Sequence, residues 1–129
     1  MESPPTQSIS VLVADDDEDQ RALLEGILSA ADWADYHVTS VPDGRSALGA
    51  LRERVFDVAL LDLSMPGLDG RETLLEIRNL RPELPVVVAS GFGESVTAVR
   101  FPSAEIASFV RKPYEAKEIA DAVRNALTG

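Results

Sequence analysis

Cysteine is absent from this chain of 129 residues, which excludes disulfide bonds, thiolate metal sites and cysteine nucleophiles. Histidine occurs once, as His37 in a predicted strand, where we expect an ordinary surface residue rather than part of a catalytic triad. Long apolar runs are also missing, so the sequence predicts no membrane segment and no signal peptide. We therefore expect a cytoplasmic protein.

Positive charge is scarce as well. The chain has 12 basic and 22 acidic residues, for a net charge of −10, and Lys112 and Lys117 are its only lysines. This balance argues against direct binding to nucleic acid, which requires a basic face to displace counterions. With 45% hydrophobic residues, the chain has the composition of one globular domain with a real core.

Apolar segments of strand length alternate with segments of helical periodicity. The predicted strands cover residues 9–14, 36–41, 56–61, 85–89 and 108–111. Apolar positions at helical spacing follow four of them, around residues 23–31, 47–51, 73–80 and 119–127. We expect residues 1–8 to form a flexible leader and residues 9–128 to form one domain. Alternating strands and helices predict an α/β fold, a parallel sheet with helices on both faces.

Polar residues stand where these strands end. The carboxyl ends of parallel strands share one edge of the sheet, where such folds place their sites. The residues that follow the first, third, fourth and fifth strands are Asp15 and Asp16, Asp62, Ser90, and Lys112. The sequence therefore predicts that carboxylates, a hydroxyl and an ammonium group converge at this edge.

Each of these residues also has an ordinary structural interpretation. Asp15 and Asp16, with Asp17, precede a predicted helix, where aspartate is a good N-cap. Ser90 precedes a glycine and suits a turn, and Lys112 precedes a proline and suits an exposed extended segment. Asp62 is harder to explain in this way, because a carboxylate there lies at the edge of the core. The coincidence of all of them at strand ends favours a functional site.

This combination suits phosphoryl chemistry. An aspartate carboxylate can act as a nucleophile and carry an acyl phosphate. Clustered carboxylates bind Mg²⁺, which bridges them to phosphate oxygens. Lys112 can neutralise a further phosphate oxygen, and the Ser90 hydroxyl can donate a hydrogen bond to a third.

The segments VLVADDDEDQRALL, PDGRSAL, FDVALLDLSMPGLDGRETL, LPVVVASG and SFVRKPY resemble the receiver domains of two-component response regulators. The resemblance covers nearly the whole chain, from Ile9 to Leu127. It implies a flavodoxin-like (βα)5 fold, a doubly wound parallel five-stranded sheet in the strand order 2-1-3-4-5. The details around SGFGE and VRKPY are most similar to receivers attached to hybrid histidine kinases.

The resemblance also implies a role for each site residue. Asp62 is expected to be the phosphorylated residue and, with Asp16, a direct ligand of Mg²⁺ (or Mn²⁺). Asp15 is expected to act mainly through water, and Ser64 to offer its backbone carbonyl oxygen. Lys112 corresponds to the phosphate-binding lysine, and Ser90 and Phe109 to the pair that switches conformation.

Partners and output follow from the same resemblance. We expect phosphate to come from a histidine kinase or a histidine phosphotransfer protein, and the chain to be a switch rather than an enzyme. Its output is then expected to be protein contact or a phosphate relay. Whether it forms a homodimer stays open.

Two other classes of protein share parts of this pattern. A haloacid-dehalogenase-type phosphatase requires a second acid two residues after its nucleophile, where this chain has Ser64. A pseudo-receiver usually lacks an acid, the acceptor or the lysine, and all are present here.

The chain departs from the family in two places. Phe109 replaces the more usual tyrosine of the switch pair. Pro102 falls where a helix interior is expected, and proline there removes a backbone hydrogen bond. We therefore predict a short helical segment between about residues 94 and 100, followed by irregular structure.

Overall fold

Five parallel strands form one sheet in the order β2-β1-β3-β4-β5, as predicted. They are β1 (Gln7–Ala14), β2 (Ala34–Val41), β3 (Val58–Asp62), β4 (Val86–Ser90) and β5 (Ser108–Arg111). This computed structural model describes residues 7–31, 34–62, 70–90, 108–111 and 115–128. The α/β fold class and the strand order predicted from the sequence are confirmed.

Four helices are present in the described ranges, and they cover both faces of the sheet. They are α1 (Glu18–Ser29), α2 (Gly44–Glu53), α3 (Gly70–Leu80) and the C-terminal helix (Ala116–Thr128). No helix among these residues is both long enough and apolar enough to cross a membrane.

Side chains alternate between two cores, one on each face of the sheet. On the first face, α1 and the C-terminal helix pack on one set of strand residues: Ile9, Val11, Val13, Val58, Leu60, Val87 and Val110. On the second face, α2 and α3 pack on the intervening residues: Leu12, Ala14, Ala59, Leu61, Val86 and Val88. This arrangement explains why the strands read as continuous apolar runs, since both of their faces are buried.

The starts of β1, β2 and β3 each differ from the prediction by two residues. β1 begins at Gln7, inside the predicted leader, because its main chain pairs with β2 from Gln7↔Ala34 onwards whatever the polarity of the side chains. β3 begins at Val58 rather than at residue 56. The Asp57 carboxylate accepts a hydrogen bond from the Ser10 N–H at 2.8 Å, so a side chain takes a position in the ladder that a main-chain carbonyl would otherwise fill.

One residue of the predicted helical pattern lies outside the core. Leu23 is 48% exposed, whereas Leu24 and Leu28 are buried. Adjacent helical residues point about 100° apart, so Leu23 and Leu24 cannot both face the middle of the sheet.

The start of α2 is fixed by its N-cap. The Asp43 carboxylate accepts a hydrogen bond from the Ser46 backbone N–H at 2.8 Å. This hydrogen bond holds the pKa of Asp43 below its ordinary value, because it favours the charged form.

Candidate phosphorylation and metal site

Two neighbouring strands end in carboxylates at the same edge of the sheet. β1 and β3 are paired up to Ala14↔Leu61, and Asp15 and Asp62 are the next residues along each chain segment. Asp62 is the last residue of β3, and the Asp15 N–H continues the sheet by donating to the Val41 carbonyl at 3.1 Å. Both residues are therefore positioned by the sheet backbone rather than by a loop.

The three carboxylates predicted to converge do so. Asp15, Asp16 and Asp62 each offer one oxygen, and these oxygens lie within 4.8 Å of one another. Asp15 and Asp62 are only 2% and 3% exposed, while Asp16 is exposed. Like charges this close repel one another, and a cation among them would relieve the repulsion. Because all the donors are hard oxygens and one side is open to solvent, the set fits a hydrated divalent ion such as Mg²⁺.

Helix capping, the alternative interpretation of the aspartates, applies to a different residue. Asp17 is the N-cap of α1, and its side chain accepts from the backbone N–H groups of Asp19 and Gln20. The oxygen-to-nitrogen distances are 2.9 and 3.3 Å. The N-cap position of α1 is therefore filled without Asp15 or Asp16, and capping does not account for the carboxylate cluster.

Asp15 is held in place from two sides. Its Oδ1 accepts a hydrogen bond from the Asp17 N–H at 2.9 Å, and its carbonyl oxygen accepts one from Arg21 Nη1 at 2.7 Å. Arg21 was not predicted to belong to the site. No sequence signal marks it, because an arginine near the start of an amphipathic helix usually points into solvent. This hydrogen bond connects α1 to the turn that contains Asp15 and Asp16.

The other predicted site residues are described only in part or not at all. Ser90 ends β4 and pairs with Arg111, which places its backbone at the carboxyl edge of the sheet; Phe109 pairs with Val88 within β5. Ser64 and Lys112 lie outside the described residues, as does the predicted helical segment at 94–100 with Pro102.

Asp17→Ala should lower the free energy of unfolding by about 1 kcal/mol, because two backbone N–H groups at the start of α1 lose their acceptor. Urea denaturation monitored by circular dichroism measures this change. Asp19→Ala is the matched control, since Asp19 lies in the first turn of α1 but is not the cap. An equal, small loss in both variants would contradict the capping role.

Comparison with known proteins identifies the family. The model of the response regulator receiver domain matches residues 11–124. The transcriptional regulatory protein ZraR of Salmonella typhimurium is 34% identical over 119 residues, which are 92% of this chain and 26% of that protein. The response regulator receiver protein CpdR of Brucella abortus is 29% identical over 117 residues, which are 91% of this chain and 95% of that protein.

Solved structures agree with this assignment. The structure of NtrX from Brucella abortus in complex with ADP superposes with a TM-score of 0.85 at 35% identity, covering 95% of this chain and 27% of NtrX. A putative response regulator from Chloroflexus aurantiacus gives a TM-score of 0.85 at 26% identity, covering 95% of this chain and 100% of that chain.

The chain therefore belongs to the receiver domain family of two-component response regulators. This membership disfavours the haloacid-dehalogenase interpretation. The chain spans about a quarter of the length of relatives such as ZraR, at 26%.

Proposed function

We propose that this chain is a phosphorylation-dependent signalling switch in which Asp62 accepts a phosphoryl group from a phosphohistidine. The observation that carries the proposal is the buried Asp62 carboxylate, which ends a central strand within 4.8 Å of the Asp15 and Asp16 oxygens. Carboxylates are seldom buried, and oxygens this close repel one another, so the group favours binding of a cation. A site for a cation and a phosphoryl group provides a reason for this arrangement.

The reaction exchanges one bond to phosphorus for another. A carboxylate oxygen of Asp62 attacks the phosphorus, the P–N bond to the donor imidazole breaks, and an acyl phosphate forms on Asp62. Hydrolysis later breaks the new O–P bond, which returns Asp62 to its carboxylate form and releases inorganic phosphate. The chain thus assists its own phosphorylation and dephosphorylation rather than turning over a separate substrate.

The remaining residues position the group and balance its charge. Asp16 and Asp62 would bind Mg²⁺ (or Mn²⁺) directly, Asp15 mainly through water, and Ser64 through its backbone carbonyl. The ion, when bound, supplies positive charge to the phosphoryl oxygens. Lys112 would neutralise another of these oxygens.

The phosphate is proposed to act through the Ser90 and Phe109 positions. The Ser90 hydroxyl would turn toward the new phosphate, and Phe109 would turn inward into the space it vacates. The added charge then biases an equilibrium between two conformations. The partners proposed are a histidine kinase or a histidine phosphotransfer protein, and the net charge of −10 argues against direct contact with nucleic acid by this chain.

Incubation with acetyl phosphate and Mg²⁺ should add one phosphoryl group per chain, measured by intact mass, and EDTA should prevent the addition. A panel of phosphorylated histidine kinases would then identify the donor that transfers fastest. Labelling that is indifferent to EDTA would contradict the metal-dependent mechanism, and no labelling from any donor would favour a pseudo-receiver.

A further inference from the structure

A groove separates α2 from α3 on the face of the sheet opposite α1. It has a volume of about 460 Å³. The described residues that line it are Arg45, Leu48, Arg52, Glu72, Leu75 and Glu76. This groove is not part of the carboxylate site, and the proposed phosphorylation reaction makes no use of it.

Charge is sorted between the two walls of the groove. Both arginines, Arg45 and Arg52, lie on α2, and both glutamates, Glu72 and Glu76, lie on α3. The residues on each wall recur at helical spacing, so each wall is one face of one helix. Among the described lining residues, the α2 wall therefore carries positive charge and the α3 wall negative charge.

The middle of the groove is apolar. Leu48 is almost completely buried at its base, but Leu75 is 38% exposed, one of few large apolar side chains that the described part of the protein leaves open to solvent. An apolar centre between charged borders is the usual composition of a protein interface.

The charged groups at one end of the groove have no ionic partner among the residues that the structure describes. In the described ranges, neither Arg52 nor Glu76 makes an ion pair, although they line the same groove. Opposite charges that face each other across a gap without meeting can each take a partner from another molecule.

We infer that the groove binds a second copy of this chain, with a two-fold axis parallel to α2 and α3. Both helices start at the carboxyl edge of the sheet and run in the same direction, so this axis places α3 of each copy beside α2 of the other. Arg52 of one copy then faces Glu76 of the other, and the same contact recurs by symmetry. The two Leu75 side chains meet near the axis.

The separation of charge between α2 and α3 explains why the proposed partner is a second copy of this chain. A two-fold contact must be complementary to itself, and a positive wall beside a negative wall satisfies this requirement without any further partner. At a net charge of −10, two copies repel each other over most of their surfaces, so association is favoured where arginines meet glutamates.

Charge exchange tests this arrangement. Arg52→Glu places two glutamates opposite each other in the dimer, and Glu76→Arg places two arginines opposite each other. Each variant alone should raise the dimer dissociation constant at least about tenfold, as expected when two ion pairs become repulsive. Mixed in equal amounts, the two variants should associate, because every contact across the axis is then between opposite charges.

Sedimentation equilibrium from micromolar to millimolar protein, without a phosphodonor, measures these changes. Lys117→Glu changes the net charge as Arg52→Glu does, but on the C-terminal helix at an 87% exposed side chain, so it should leave association as in the wild type. Leu75→Ser should weaken association of the wild type and of the mixed pair alike. Circular dichroism confirms that each variant is folded.

A wild type that stays monomeric over this range would overturn the inference. So would dimerisation that both single variants retain, because it would then use another face. If the single variants are monomeric and their mixture stays monomeric too, the proposed pairing of Arg52 with Glu76 is wrong. Phosphorylation of Asp62 is not required for any of these outcomes, so they do not depend on the proposed function.

Discussion

Asp62→Asn should abolish phosphorylation of this chain by acetyl phosphate. The amide has nearly the shape of the carboxylate but lacks its nucleophilic oxygen, so no acyl phosphate forms at this position. The fold should tolerate the change, because it removes one negative charge from a cluster whose oxygens lie within 4.8 Å of one another. Intact mass after incubation with acetyl phosphate and Mg²⁺ provides the measurement.

Asp35→Asn is the control for this experiment. Asp35 is an exposed carboxylate on β2 that lies outside the cluster, with its Oδ2 3.3 Å from His37 Nε2. This variant should be labelled as the wild type is. Equal labelling of Asp62→Asn and the wild type would show that the phosphate acceptor is another residue.

Mg²⁺ should stabilise the folded protein, because the proposed site for this ion exists only in the folded state. At ten times its dissociation constant such a ligand adds about 1.4 kcal/mol to the free energy of unfolding. For a domain of this size the melting temperature then rises by roughly 4–7 °C. Thermal unfolding over a titration of Mg²⁺ into the millimolar range measures the effect.

Asp16→Asn separates metal binding from other effects of the ion. The side chain is exposed, so its replacement leaves no buried cavity, but it removes one of the two proposed direct ligands. We expect a weaker response to Mg²⁺ and a higher melting temperature without metal, because the repulsion within the cluster is reduced. Asp35→Asn should respond to Mg²⁺ as the wild type does. A melting temperature indifferent to Mg²⁺ in the wild type would exclude the metal site.

Much of this site could be predicted from the sequence, because the backbone of the sheet determines where its carboxylates lie. Asp15 follows β1 and Asp62 ends β3, and both strands are recognisable from their apolar runs because both of their faces are buried. When two parallel strands are adjacent, their carboxyl ends lie at the same edge of the sheet, and the aspartates at those ends therefore lie close together. The convergence with Asp16 required no knowledge of side-chain contacts.

The parts that could not be predicted depend on local hydrogen bonds. Three consecutive aspartates can each cap a helix, and only the backbone geometry assigns the cap to Asp17. The contact from Arg21 to the Asp15 carbonyl joins residues six positions apart, and many other rotamers of a long side chain would miss it. The start of β3 likewise depends on the Asp57 carboxylate, which takes the Ser10 N–H.

The alternation of side chains along β1 and β3 has a consequence for how this protein can change. Val11 and Val13 on β1, and Val58 and Leu60 on β3, face α1 and the C-terminal helix. Asp15 and Asp62 continue these same series, each two positions beyond the last member. Substitutions along either strand keep the alternation of side chains between the two faces. Deletion of one residue shifts that alternation by one position and turns the following carboxylate toward the opposite face. The site should therefore tolerate exchanges between apolar residues in these strands far better than any change in their length.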